Sequence, residues 1–413
     1  MTVTDTISAE TTVPVLQSVE AALGVATEVA AEVAAGAVQR ELDGALPTES
    51  LRRVGESGLL GILVPAAFGG PDLPRSTAVE VLRILSRADS AVGQLLLAHY
   101  VLSAAIRGLG DNAPAPHIYA AVLAGAQLGN ATVERGTRTS VERKTIVRRD
   151  AGRGWVLNGV KYYATGSLGA QWIAVAARID GTGHGATVFV RPTDPGVTLN
   201  LDRWSAFGQR GTASGEVILD NVNVAAEYVI DEGPDPDPVT APPSVLGAFD
   251  QALHTAVDVG IARAALEDGA AFVATRSRPW FEAGVDRAAD EPHVVRRFGE
   301  LTARLYALEA LLAHGSALVD DALAEPELTR AAAAKASLQV AAAKALTQEF
   351  AVEIAGGVLE LAGASATDAG FALDRHWRNV RVHSLHDPAR WKYVHLGRHT
   401  LDGTLPPRLG LLL

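Results

Sequence analysis

Between Arg378 and Tyr393 the chain reads RNVRVHSLHDPARWKY, two histidines and an aspartate among four basic residues. If the stretch is helical, His383, His386 and Asp387 fall at i, i+3 and i+4 on one face. Imidazole titrates near pH ~6.5, so such a face can hold or deliver a proton, and a neighbouring carboxylate can orient the ring. Three uses compete: proton handling in catalysis, a metal site, and histidines satisfied by buried hydrogen bonds at a subunit contact. A metal would need further ligands, and the chain has no cysteine and no evident partner motif to complete the set. A further histidine, His99, lies in LLLAHYVL, an apolar helical pattern whose ordinary occupant is a satisfied core residue.

The elements that must position these groups fall into three regions. A polar tail is expected over 1–14. Apolar residues at three-to-four spacing then predict helices over 15–127, with a capping candidate at Thr48-Glu49-Ser50, one long pattern running from Ser76 to Gly110, and a Pro/Gly-rich loop, ILVPAAFGGPDLP, between them. Over 128–230 the pattern changes to short alternating segments such as GWVLNGVKYYAT, QWIAVAARI and GEVILDNVNV, punctuated by Asp-Gly and Asn-Gly turns, which predicts an antiparallel barrel-like or sandwich β-domain. The proline-rich, acidic stretch at 231–243 reads as a linker in which helix and strand are both disfavoured. Over 244–413 the chain is helical again, and its alanine richness is explained by helix propensity and close helix packing. The apolar end, PPRLGLLL, is expected to pack into an assembly or beside the site, or to fray. The fold class is thus α+β: helices, a β-domain, and a C-terminal helical bundle.

Composition narrows the function. At 413 residues there is material to enclose a cofactor. The net charge of -11, without a long Lys/Arg run, lacks the footprint of a nucleic-acid binder. The acidic, polar start lacks a signal-peptide pattern, and charges interrupt the alanine-rich stretches before the ~18 residues of a membrane span. The absence of cysteine excludes disulfides and thiolate chemistry and fits a reducing compartment. A cytoplasmic protein without nucleic-acid or membrane partners is expected. No Gly-x-Gly-x-x-Gly opens a βαβ unit, so nicotinamide binding is not indicated.

Several stretches together resemble the acyl-CoA dehydrogenase superfamily: GLLGILVPAAFGG, GWVLNGVKYYATGSLGAQWIAVAAR and PGVTLNLDRWSAFGQRGTASGEVILDNVNV, in an order that runs from about Leu51 to Pro407. Dehydrogenases of that family use a glutamate base following an Arg-Asp pair. Here Arg378-Asn379 stands at the pair, and Asp387, followed by Pro388, falls on the base's column. An aspartate is one methylene, on the order of 1.5 Å, shorter, and proton abstraction is sensitive to such misplacement. DRHWRNVRVHSLHDP, LGRHTLDGTLP, GNATVERG and RSRPW, with His99, instead resemble the flavin-dependent monooxygenases of this fold, the dibenzothiophene and sulfur-acquisition branch.

That resemblance implies reduced FMN and dioxygen as co-substrates, a flavin C4a-(hydro)peroxide, and oxygenation of a small apolar heteroatom compound, sulfur being favoured. It implies a separate flavin reductase as electron source and a homotetramer. It implies His386 as the group that steadies the oxygenated flavin, Asp387 orienting it, and His99 as a second catalytic candidate. Asn130, Thr132, Thr165 and Ser214 are expected at the flavin ring, Arg278 at its phosphate, and Ser365 in the region that meets the flavin tail from a neighbouring subunit. Two alternatives stand beside this reading: an FAD-dependent acyl-CoA dehydrogenase with Asp387 as base, and a flavin-free helical scaffold.

Overall fold

The computed structural model describes residues 12–237 and 239–408, so most of the expected tail at 1–14 and the last residues, 409–413, lie outside the described residues. Among the described residues, helices α1 (Val19–Asp43), α2 (Thr48–Glu56), α3 (Arg75–Ala88), α4 (Ser90–Ile106) and α5 (Ala115–Leu123) come first. Strands follow: β1 (Leu128–Ala131), β2 (Ile146–Asp150), β3 (Gly154–Tyr162), β4 (Trp172–Ile179), β5 (Gly185–Val190), β6 (Val197–Asn200), β7 (Glu216–Val224) and β8 (Val229–Gly233). The chain then returns to helix in α6 (Leu246–Thr275), α7 (Pro292–Ala324), α8 (Arg330–Ala362), α9 (Arg375–His383) and α10 (Ala389–Asp402).

Local chemistry sets the boundaries. Ser18 caps α1, its hydroxyl accepting from the Ala21 N–H at 3.1 Å, and Gly44 ends the helix in the left-handed region. Thr48 opens α2 without acting as a side-chain cap. The single long pattern expected from Ser76 to Gly110 is broken at Asp89, which takes extended backbone and caps α4 by accepting from the Ala91 N–H at 2.9 Å. Its other oxygen holds Arg40 of α1 at 2.8 Å. Periodicity carries through the break because both helices bury the same side.

The sheet runs β6-β7-β3-β2-β4-β5-β8, with β1 added on β4. It is mixed, since β1 and β2 both pair in parallel with β4. Alternation within a strand carries no information about the direction of its neighbour, so the antiparallel expectation missed this. The linker expected from residue 231 also gives up its first three residues to β8, which pairs with β5.

One core joins the two helical regions and a second fills the sheet. Helix α6 is buried around most of its circumference and so forms the centre of the helical part. Its small residues let neighbours approach: a Cβ at Gly260 would stand 2.6 Å from the Arg83 carbonyl oxygen of α3. By length and composition, α1 and the stretch Ser90–Leu109 could each cross a membrane, contrary to the sequence expectation. In the fold α4 is a core helix, and α1 sends Ala22, Ala26, Val29 and Val33 into the helical core.

Candidate active site

Helix α9 ends at His383, so His383, His386 and Asp387 do not share a helix face; a turn separates them and gives each a different environment. His383 points into the core, where its Nδ1 lies 2.7 Å from Asp258 Oδ1 of α6. Asp258 Oδ2 receives the Lys344 ammonium of α8 at 2.9 Å. His383 Nε2 stands 3.1 Å from Nδ1 of His254, also on α6. The His254 ring in turn stacks under His386 with centroids 3.8 Å apart. His386 is 42% exposed, whereas Asp387 is sealed, bonded to Lys392 Nζ at 2.5 Å and only loosely to His386 Nδ1 at 3.4 Å. Gln348 of α8 anchors the turn by donating to the Asp387 carbonyl at 2.9 Å. Among the described residues no three His, Cys, Asp or Glu side chains converge as a metal site.

Burial and charge set the protonation states. Desolvation pushes His254 well below the usual imidazole range, helped by the neighbouring His386 and His383, and it lowers His383 against the pull of Asp258. Both rings are neutral. Burial raises Asp250, one turn before His254, to about 6. Burial also works to raise Asp387, but the His386 hydrogen bond and the Lys344 and Lys392 charges reverse it and hold the carboxyl far below its usual range. A carboxylate stabilised so strongly is a poor base, which counts against the dehydrogenase role for Asp387.

The β-domain contributes a second cluster. Thr165, after β3, and Ser214, before β7, meet with hydroxyl oxygens 2.9 Å apart. Ser214 donates to Thr212 at 2.9 Å, and Thr212 donates to the Gln209 carbonyl at 2.8 Å. Trp204 Nε1 donates to the same carbonyl at 2.8 Å. Three residues here carry left-handed backbone, Tyr163 at φ 54°, Gln209 at 51° and Ala213 at 44°, each costing about 1–3 kcal/mol. Such strain persists only where surrounding bonds over-determine it. The half-exposed Tyr163 ring leans edge-on toward Trp204, 6.1 Å away. Nearby, Asn130 Oδ1 on β1 is buried and has no hydrogen-bond partner, an acceptor waiting for a donor.

The two clusters are tied through α9. Asn379 Oδ1 accepts from the Gln209 N–H at 2.6 Å, and a Cβ at Gly208 would lie 2.0 Å from the Arg378 carbonyl oxygen. Asn379 and His383 sit one turn apart, so one short helix sets the hydroxyl row against the histidine cluster. The asparagine that replaces the dehydrogenase aspartate is therefore a loop anchor.

The remaining sequence candidates are spread out. His99 is fully buried; its Nε2 donates to the Leu60 carbonyl at 2.8 Å while Nδ1 accepts from the Leu128 N–H at 3.1 Å. Desolvation lowers it to about 4, and both nitrogens are engaged, so here it fixes the start of β1 two residues before Asn130. Thr132 lies just past β1 with its side chain exposed and its carbonyl accepting from Lys161 at 3.2 Å. Arg278 is exposed in the loop after α6, and Ser365 is exposed after α8; Ser277 donates to the Ala362 carbonyl at 3.1 Å and brings those two loops together. They are remote from the histidines: His254 and Thr275 are 21 residues apart on α6, about 30 Å along the axis.

Sequence reasoning overlooked His254, Asp258, Lys344, Gln348, Tyr163 and Gln209. A signal existed for the first four. Asp250, His254 and Asp258 recur every four residues on an otherwise apolar helix, and Lys344 and Gln348 do so among alanines. Left-handed backbone at a tyrosine and a glutamine leaves no mark in sequence.

Comparison with known proteins bears on this arrangement. Residues 20–125, 131–222 and 252–391 match, in turn, the N-terminal, middle and C-terminal domains of acyl-CoA dehydrogenase. A dibenzothiophene monooxygenase of Rhodococcus qingshengii is 32% identical over 403 residues, covering 93% of this chain and 94% of the relative. The probable FMNH2-dependent monooxygenase SfnC of Pseudomonas putida is 29% identical, with 93% and 96% covered. The crystal structure of FMN-bound TdsC from Paenibacillus sp. A11-2 superposes with a TM-score of 0.87 at 28% identity, covering 95% of this chain and all (100%) of the other. The chain belongs to the acyl-CoA dehydrogenase family, in its branch of FMN-dependent monooxygenases.

Proposed function

We propose that this chain is the oxygenase of a two-component system: a separate reductase supplies reduced FMN, and the substrate is a small apolar organosulfur compound. The observation that carries the reading is His386, half exposed on a sealed, neutral histidine and next to a carboxylate locked by lysine. When bound, reduced FMN supplies dioxygen activation and the transfer of one oxygen atom. The residues present fit a flavin. Asn130 Oδ1 is a buried acceptor without a donor, Thr165 holds a hydroxyl proton that can turn outward from Ser214, and Tyr163 offers an exposed aromatic edge. His386 Nε2, which has no partner among the described residues, holds or moves a proton at the rim. His254 beneath it excludes water from that side. The organosulfur preference rests on the relatives named for such substrates.

Arg278 and Ser365 serve the phosphate and tail of a neighbouring subunit's flavin, because about 30 Å of α6 separates them from their own histidines, more than one FMN can bridge. A homotetramer is the assembly we infer. Exposed apolar side chains on α7 and α10, including Tyr306, Trp391 and Leu401, support burial against further copies. We place the protein in the cytoplasm, where reductase and flavin are available.

The test supplies purified protein with a flavin reductase, NADH, FMN and a thiophene or sulfinate, and measures oxygenated product. Parallel reactions measure dye reduction with acyl-CoA. Product without dye reduction is expected; dye reduction would revive the dehydrogenase reading. Anaerobic titration should show reduced FMN binding more tightly than reduced FAD.

A further inference from the structure

Behind His386 lies a row of titratable side chains joined end to end, and its fixed end dictates the direction of every proton. Lys344 can only donate, so Asp258 is an anion with Oδ2 committed to it and Oδ1 free to accept. His383 must therefore carry its proton on Nδ1, which leaves Nε2 a lone pair. His254 must then carry its proton on its own Nδ1 to satisfy His383 Nε2. The remaining His254 nitrogen, Nε2, faces Asp250 at 3.9 Å.

We propose that Asp258 is a positioning residue for His386: by fixing the tautomers of His383 and His254 it sets the orientation of the buried imidazole that stacks 3.8 Å beneath the His386 ring, with Nδ1–H turned inward to His383 and Nε2 left bare. A charged His254 at that distance would repel the proton that His386 must hold. The other charges facing the pair are Asp250 from α6, Lys344 from α8, Lys392 from α10, and the adjacent Asp387. With Asp258 anionic, part of the Lys344 charge is compensated inside the core. The proposal rests on the reading of His386 as the proton-handling group.

Asp258→Asn in the full-length holoprotein tests it. Lys344 again takes the carbonyl oxygen at position 258, so the new amide turns its NH2 toward His383 Nδ1. The whole row then reverses: His383 and His254 both move their proton to Nε2. Imidazole nitrogen resonances of histidine-labelled protein, assigned with His254→Phe and His383→Phe, should show two Nδ1–H rings in the parent and their loss in the variant. Product formation should fall by about 10- to 100-fold, the range for losing the orienting partner of a working histidine. The KM for reduced FMN should be unchanged, although the Lys344 charge is now uncompensated in the core. Since the single variant leaves that charge buried, Asp258→Asn/Lys344→Met is made beside it. Restored melting temperature with coupling still lost supports positioning. Unchanged tautomers in Asp258→Asn, or coupling that returns with stability in the double variant while the tautomers stay reversed, overturns it. If instead His386→Phe retains full coupling, the parent reading fails, whatever the tautomer result.

Discussion

His386 keeps a ring nitrogen at the surface, while His99, His254 and His383 are sealed and neutral. The difference has a thermodynamic consequence. Unfolding exposes the three sealed rings, which below pH ~6.5 then bind protons they refuse in the native state, so stability falls as pH drops through that range. Each ring contributes about 1.4 kcal/mol per pH unit once its unfolded form is protonated. For His99 the loss continues down to about 4. Asp250 acts in the opposite sense: raised to about 6, it stabilises at low pH and loses that contribution as pH rises through 4 to 6. Burial lowers His376 and His395 as well, so five rings act against Asp250: the melting temperature should fall on acidification from pH 7 to 5, and His99→Gln should flatten the slope. Melting temperatures independent of pH over that range would mean the rings are not sealed as described.

Helix α9 does more than its nine residues suggest, because it anchors the strained loop of the β-domain and ends on the histidine that enters the core. Replacing Asn379 with Ala leaves the buried Gln209 N–H without an acceptor, at a cost of about 1–3 kcal/mol, and should weaken FMN binding because the Thr212–Ser214–Thr165 row hangs from that loop. Asn379→Asp keeps an acceptor and should bind FMN nearly as the parent does. Denaturant titrations and flavin binding compare the two; equal losses would remove the anchor role. The sequence disclosed much at this scale. GWVLNGVKYYAT and GEVILDNVNV contain strands, and RNVRVHSLHDP holds two of the three clustered histidines, because period and residue type survive in one dimension. The helix break at Asp89, the parallel pairing of β1 and β2 with β4, and the commitment of Asp387 to Lys392 more than to His386 depend on which partners arrive in three dimensions. Arg40 waiting for Asp89 and Lys392 waiting for Asp387 are such partners.

For the whole molecule, the proposal that Arg278 of one copy serves the histidines of another rests on the length of α6 between them. Arg278→Ala should weaken FMN by roughly 1.5 to 3 kcal/mol, the worth of charged hydrogen bonds. Mixing Arg278→Ala subunits with His386→Ala subunits, each nearly inactive alone, should restore part of the activity, since mixed pairs contain one complete site. Failure to complement would put both residues in one site and contradict the geometry. The central claim is that His386 commits activated oxygen to product, and it is tested by measuring product and hydrogen peroxide together for the parent and His386→Phe. The variant should bind FMN and melt nearly as the parent does, while product falls by about 10² to 10⁴, the range for a positioned proton-transfer group, and the missing oxygen appears as peroxide. Product and peroxide in the parent's ratio, or activity lost only in step with melting temperature, would contradict the account.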